Sequence, residues 1–106
     1  MPVMAEISVI PIGTASPSVG GLIATALRAL DNHPGVQHEL TAMGTTLTGE
    51  LADVLAACGA MHTAILNAGA PRCYTIIKLD QRVDKAATPE EKVASVMRHF
   101  SGDPPA

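Results

Sequence analysis

Met4-Ala5-Glu6-Ile7-Ser8-Val9-Ile10-Pro11 decides how this chain folds. Its residues alternate, with Ala5, Ile7 and Val9 on one side and Glu6, Ser8 and Ile10 on the other, the two-residue period of a strand. Directly after it, Ile12-Gly13-Thr14-Ala15-Ser16 is small and polar, and Ser16-Pro17 offers a helix cap followed by proline at the first helical position. A strand that feeds a helix starts the fold. Val19, Leu22, Ile23, Ala26, Leu27 and Leu30 then recur at three- and four-residue steps and form the apolar stripe of helix one, which Asn32-His33-Pro34-Gly35 ends.

Outward from there the alternation returns. Val36 to Ala42 places Val36, His38, Leu40 and Ala42 against Gln37, Glu39 and Thr41, and the run Thr45-Thr46-Leu47-Thr48 follows Met43-Gly44. These residues predict a hairpin of strands two and three, although a one-residue slip at Met43-Gly44 would exchange their faces. Helix two is expected over Leu51 to Ala68, with Leu51, Val54, Leu55, Cys58, Met61, Ile65 and Leu66 as its stripe. Arg72 to Leu79 is rich in β-branched and aromatic residues and predicts strand four. After the charged loop Asp80 to Lys85, Thr88-Pro89-Glu90-Glu91 is a capping box in which the threonine accepts from the amide of Glu91 and the glutamate reaches back. Helix three follows, with Val93, Val96, Met97 and Phe100 on its apolar edge, and Ser101 to Ala106 is expected to be a frayed tail.

The order βαββαβ plus a C-terminal helix suits an α+β fold: a ferredoxin-like sandwich with a four-stranded antiparallel sheet and helices one and two on one face. The 106 residues make one domain. The opposite face of the sheet would stay open, carrying Glu6, Ser8, Ile10, Glu39, Thr41, Thr46, Thr48, Ile76, Lys78 and Asp80, with Tyr74 nearby. A face that mixes isoleucines with hydroxyls and charges packs on another sheet or on a ligand, and it predicts a homo-oligomer. Ile10, Thr46, Thr48, Ile76, Lys78, Asp80 and Arg82 are its candidate interface residues.

Composition removes several classes of function. The chain is 47% apolar and 16% charged, with mean hydropathy +0.26, so it is globular rather than disordered. A net charge of −3 with 7 Lys+Arg in no cluster, and Tyr74 and Phe100 as the aromatics, argue against nucleic acid as a partner. The N-terminus has no basic region ahead of its apolar stretch, and Leu51 to Ala70 is interrupted by Asp53 and His62, so neither a signal peptide nor a membrane partner is expected. Cys58 and Cys73 lack metal or redox spacing and read as reduced thiols of a cytoplasmic protein. Cys58 and His62 lie four residues apart on helix two, yet no third ligand is at a recognisable spacing, so the expectation is a packed thiol and a hydrogen-bonded histidine with no metal and no cofactor. No GxSxG, P-loop, HExxH or dinucleotide-binding glycine pattern occurs, and no catalytic residue can be named.

Three blocks in this order, Glu6-Ile7-Ser8-Val9-Ile10-Pro11-Ile12-Gly13-Thr14, Glu39-Leu40-Thr41-Ala42-Met43-Gly44-Thr45 and Ile77-Lys78-Leu79-Asp80-Gln81-Arg82-Val83-Asp84-Lys85, resemble the small YkoF-related thiamine-binding proteins. The resemblance implies a ferredoxin-like fold, assembly through sheets into dimers or tetramers, and binding of thiamine or its hydroxymethylpyrimidine part without catalysis. Candidate ligand-binding residues are Glu6, Thr14, Met43, Thr45, Glu50 and Tyr74. The hydroxyls of Thr14 and Thr45 and a carboxylate would hydrogen-bond the heterocycle, Glu6, Glu39 or Glu50 would offset a thiazolium charge, and Met43 and Tyr74 would cover it. The alternative is a structural protein whose open face serves only assembly.

Overall fold

The computed structural model describes residues 1–102. Its elements are β1 (Val3–Ile12), α1 (Gly20–Arg28) running into a short 3-10 turn (Ala29–Asn32), β2 (Gln37–Leu40), β3 (Thr45–Gly49), α2 (Leu51–Asn67), β4 (Arg72–Asp80) and α3 (Pro89–Phe100). The strands form one antiparallel sheet in the order β2-β3-β1-β4, the ferredoxin-like arrangement. No helix among the described residues is long and apolar enough to cross a membrane.

Alternation in β1 sets the layers. Val3, Ala5, Ile7 and Val9 are buried with Leu47 of β3 beneath Val54, Ala57, Cys58, Met61 and Ile65 of α2. Ala26 of α1 and Ala57 of α2 are both fully buried, and their small side chains let the two helices approach closely. The buried stripe of α2 is therefore narrower than its sequence suggests. Leu51, Leu55 and Leu66 are exposed, because α1 and the sheet together cover only the side that carries Ala57.

Helix one starts later than Ser16-Pro17 predicts. The Ser16 hydroxyl accepts from the amide of Ser18 at 3.1 Å, a local turn that competes with helical capping, and α1 begins only at Gly20. Thr41 also departs from its expected place on the open face. Its amide and its hydroxyl both donate to the Gly44 carbonyl, at 2.8 and 2.9 Å, so Thr41 closes the β2–β3 turn instead of extending β2.

The strand register gives the open face an orderly pattern of cross-strand rows. One row runs Glu39, Thr46, Glu6, Lys78 across all four strands, and the next runs Gln37, Thr48, Met4, Asp80. Farther along, Ser8 faces Ile76, Ile10 faces Tyr74 and Ile12 faces Arg72. The chain leaves β4 at Asp80 and returns to the start of β1, where the Ala87 amide donates to the Pro2 carbonyl. Thr88 then caps α3 by accepting from the Glu91 amide at 3.2 Å. The Glu91 carboxylate does not reach back to the cap. It is drawn to Arg98 at 3.2 Å and Lys85 at 3.7 Å, because two cations outbid one neutral amide. Ser101 and Gly102 still close the last turn, with Gly102 at φ +90°, and residues 103–106 of the expected frayed tail lie outside the described residues.

Candidate functional site

The open face carries two adjoining grooves. One, of ≈ 290 Å³, lies over Met4, Glu6, Thr46, Lys78 and Asp80. The other, of ≈ 260 Å³, continues past Met4 and Asp80 between the sheet end and α3, among Arg82, Lys85, Glu91, Lys92 and Val96. Asp80 and Lys92 border both and are ion-paired at 2.9 Å. Together they form one trough that α3 walls on one side.

Glu6 lines the first groove because it is an even-numbered position of β1, facing away from the core. Its carboxylate is partly exposed, has Thr46 on one side, and meets Lys78 at 3.5 Å on the other. A carboxylate in contact with one flexible ammonium keeps acceptor capacity for a ligand's N–H groups. The next residues along β1 receive the β2–β3 turn. Ser8 donates to the Met43 carbonyl at 3.0 Å, and Gly44 lies so close to β1 that a side chain there would meet the Ile7 carbonyl at 2.9 Å and the Ser8 hydroxyl at 3.1 Å. Glycine at 44 is what permits that approach. Met43 is 85% exposed at the tip of this turn.

The remaining expected ligand residues do not join Glu6. Thr45 is 3% exposed, on the core side of β3 opposite Ile7, since the strand turns every odd position of that segment inward. Thr14 donates to the Ser16 carbonyl at 2.7 Å in the loop beyond Ile12, and the six residues from Glu6 to Ile12 alone span about 20 Å of strand. Glu50 sits at the β3–α2 corner, 3.3 Å from the N-terminal ammonium, and lines neither groove. Tyr74 is on the open face but two rows away, beside Ile10. The Glu39 carboxylate shares the row of Glu6 two strands off.

Of the expected interface residues, Ile10, Thr46, Thr48, Ile76, Lys78 and Asp80 all project from the open face, and Thr46, Lys78 and Asp80 also border the trough. Arg82 lies in the loop and donates to Asp84 at 2.9 Å, which raises the guanidinium's pKa and holds the Asp84 carboxyl below its usual range. Met4, Lys92 and Val96 border the trough without having been marked by the sequence. Met4 was recognisable from its even position in β1, whereas no pattern within α3 tells where that helix is laid.

On the opposite face, His62 Nδ1 lies 2.6 Å from Thr75 Oγ1, and Cys73 Sγ is 3.4 Å from the same hydroxyl. Cys58 is buried, and desolvation pushes its thiol pKa up, so it is a packed, protonated side chain.

Comparison with known proteins adds the lineage. A family model described as thiamine-binding protein matches residues 5–97. The chain is 37% identical over 100 residues to the UPF0045 protein YqgV of Bacillus subtilis, covering 92% of this chain and 96% of that one. A UPF0045 protein of Methanothermobacter thermautotrophicus is 41% identical over 95 residues, 89% of this chain and 95% of that one. The crystal structure of a hypothetical protein from Methanocaldococcus jannaschii superposes with a TM-score of 0.82 at 33% identity, over 91% of this chain and 96% of that chain. With a match that spans β1 to the start of the last turn of α3, the chain belongs to the thiamine-binding protein family.

Proposed function

We propose that this protein binds thiamine or its hydroxymethylpyrimidine part in the open-face trough and releases it unchanged, acting in sequestration or delivery. The observation that carries this reading is Glu6, a carboxylate held on the floor of a groove of ≈ 290 Å³ with a hydroxyl and an ammonium beside it. An aminopyrimidine offers N–H donors and ring-nitrogen acceptors on one edge. Glu6 accepts from the first and Lys78 donates to the second, while the Thr46 hydroxyl, whose proton goes to the Glu39 carbonyl at 3.3 Å, keeps acceptor capacity beside them. The thiazolium cation of thiamine is compensated by the same carboxylate and by Asp80 at the groove's far end. Each groove is small, near the lower limit for ligand pockets, which suits a single heterocycle in each. The family's description supports the choice of ligand. Among the described residues that line the trough, none is a nucleophile with an oriented base, which favours binding over turnover. The thiols of Cys58 and Cys73 suit a reducing compartment, and we place the protein in the cytoplasm.

The test is calorimetry of the purified protein with thiamine and, separately, hydroxymethylpyrimidine. Dissociation constants in the micromolar range, about −8 kcal/mol, are expected, and Glu6→Gln weakens both at least tenfold. Absence of heat and of any thermal shift at millimolar ligand would sink this reading.

A second reading has its own support. Ile10, Ile12 and Ile76 are each at least 40% exposed and Tyr74 is 53% exposed, a patch on the open face that suits assembly. In that reading the face serves only to join copies of the chain, and Glu6→Gln changes the mass in solution while no ligand is bound.

A further inference from the structure

The two grooves of the trough differ in charge. The first is lined by Glu6 and Asp80 and by Lys78 and Lys92, so its signs balance. The second is lined by Arg82, Lys85 and Lys92 against Asp80 and Glu91, which leaves one cation in excess. Adding the ion-pair partners just outside this lining changes nothing, since Asp84 holds Arg82 and Arg98 holds Glu91, one more of each sign. The whole chain carries −3. A positive hollow on an acidic protein is a local property of this groove and does not follow from composition.

Hydrogen-bond donors are in excess there as well. Arg82 gives its Nε hydrogen and one from Nη2 to Asp84, and the rest of the guanidinium fork stays uncommitted. Lys92 spends one of its ammonium hydrogens on Asp80, while Lys85 lies 3.7 Å from Glu91, beyond hydrogen-bond reach. The Thr88 hydroxyl accepts from the Glu91 amide and keeps its own proton, and Ser95 adds a second hydroxyl to the lining. Thr88, Lys92 and Ser95 follow one another at four- and three-residue steps, so they share one side of α3. That helix buries none of its residues, yet it turns this polar side to the groove.

A bare thiazolium cation gains little in such a place, because Asp80 is already paired with Lys92, and Glu91 with Arg98 and Lys85. A phosphate monoester has about −1.5 to −2 charge near neutral pH and three strong acceptor oxygens, so it matches both the excess charge and the excess donors.

We infer that the second groove is a phosphate subsite. The pyrimidine lies over Glu6, and a phosphate monoester on the ligand's arm lies beyond the Asp80–Lys92 pair, among Arg82, Lys85 and Lys92, with the hydroxyls of Thr88 and Ser95 donating to it. The planar fork of Arg82 suits two phosphate oxygens at once, and the lysines act as point charges. This rests on the ligand reading above and narrows it: the phosphorylated heterocycle is the preferred form.

Calorimetry of the purified protein with thiamine, thiamine monophosphate and inorganic phosphate tests the subsite. The monophosphate is expected to bind at least tenfold more tightly than thiamine, and that advantage to fall below threefold at about 1 M salt, where screening acts within about 3 Å. Lys85→Gln and Arg82→Gln are each expected to cut the ratio of the two affinities at least threefold. A merely structural role for these residues would weaken both ligands alike and leave the ratio unchanged, which overturns the subsite. Equal affinities in the unmodified protein also overturn it, with the ligand reading left standing. Inorganic phosphate bound as tightly as the monophosphate overturns the joint site, since the anion is then held without the heterocycle. No binding of thiamine or of its monophosphate at millimolar concentration overturns the ligand reading, and the subsite with it.

Discussion

Along β1, neighbouring side chains have opposite surroundings. Val3, Ala5, Ile7 and Val9 are at most 8% exposed beneath α2, whereas Ile10 and Ile12, pointing the other way, are 40% exposed. The residue types are alike, so hydrophobicity alone does not decide what is buried; parity along the strand does. The covered face stabilises the monomer. The open face has apolar surface that this chain leaves in water, crossed by the row Glu39, Thr46, Glu6, Lys78, and it is where the proposed ligand site lies.

The widest separation between the two faces is expected from truncating an isoleucine on each. Ile7→Ala opens a cavity under α2 and should cost about 2–5 kcal/mol in denaturant unfolding. Ile76→Ala removes a side chain that is already 43% exposed and should cost the monomer less than about 1 kcal/mol. Equal losses in the two variants would mean that the open face is covered in solution even at the lowest concentrations, and the comparison would then fail.

Next in size is Gly44→Ala. The added methyl meets the Ile7 carbonyl at 2.9 Å, and backbone cannot swing aside as a side-chain tip can. The β2–β3 turn must shift off β1, at about 1–3 kcal/mol, and the Ser8 bond to the Met43 carbonyl is lost with it. Because that turn borders the row of Glu6, ligand affinity should fall beyond what Ser8→Ala alone produces. A stability loss below about 0.5 kcal/mol would show that the turn is not held against the open face as described.

These variants also show how much could be read from residues alone. The alternation of Met4 to Pro11 and the β-rich run Arg72 to Leu79 fixed the faces of β1 and β4, and with them the exposure of Glu6, Ile10, Ile76 and Lys78. The direction of Thr45, which is 3% exposed, was not legible in the same way. It follows the turn, and its inward direction depends on where β3 starts, which the hydrogen bonds of Thr41 to Gly44 decide. The trough was illegible for another reason. Its wall is α3, whose capping residues announce a helix but say nothing of the row on which Lys92 and Asp80 lay it.

A smaller effect tests that wall. Thr88→Ala removes the acceptor for the Glu91 amide and should destabilise α3 by about 1 kcal/mol, seen as faster amide exchange through Val93. Exchange in α2 should not change, since no residue of α3 is buried and the core does not depend on it. Slowed binding of ligand with an unchanged melting temperature would mark α3 as part of the open-face region rather than of the folded core.

The smallest expected effect is electrostatic and concerns the same helix. Glu91, held by Arg98 first and Lys85 second, has its pKa lowered below the ordinary 4.5. A carboxyl with a depressed folded value binds its proton more readily when unfolded, so its contribution is fully present above the ordinary value and is lost as pH falls through the folded one. The carboxylate lies at the surface with its side chain 44% exposed, so the contribution is screened and slight, confined to α3 and the loop that Lys85 anchors. Exchange rates in α3 should therefore rise on acidification below the usual carboxylate range, and Glu91→Gln should abolish that rise while leaving the exchange of β1 and α2 as it was. An identical acid response in Glu91→Gln would show that the contacts of Glu91 with Arg98 and Lys85 are not what acid loosens in α3.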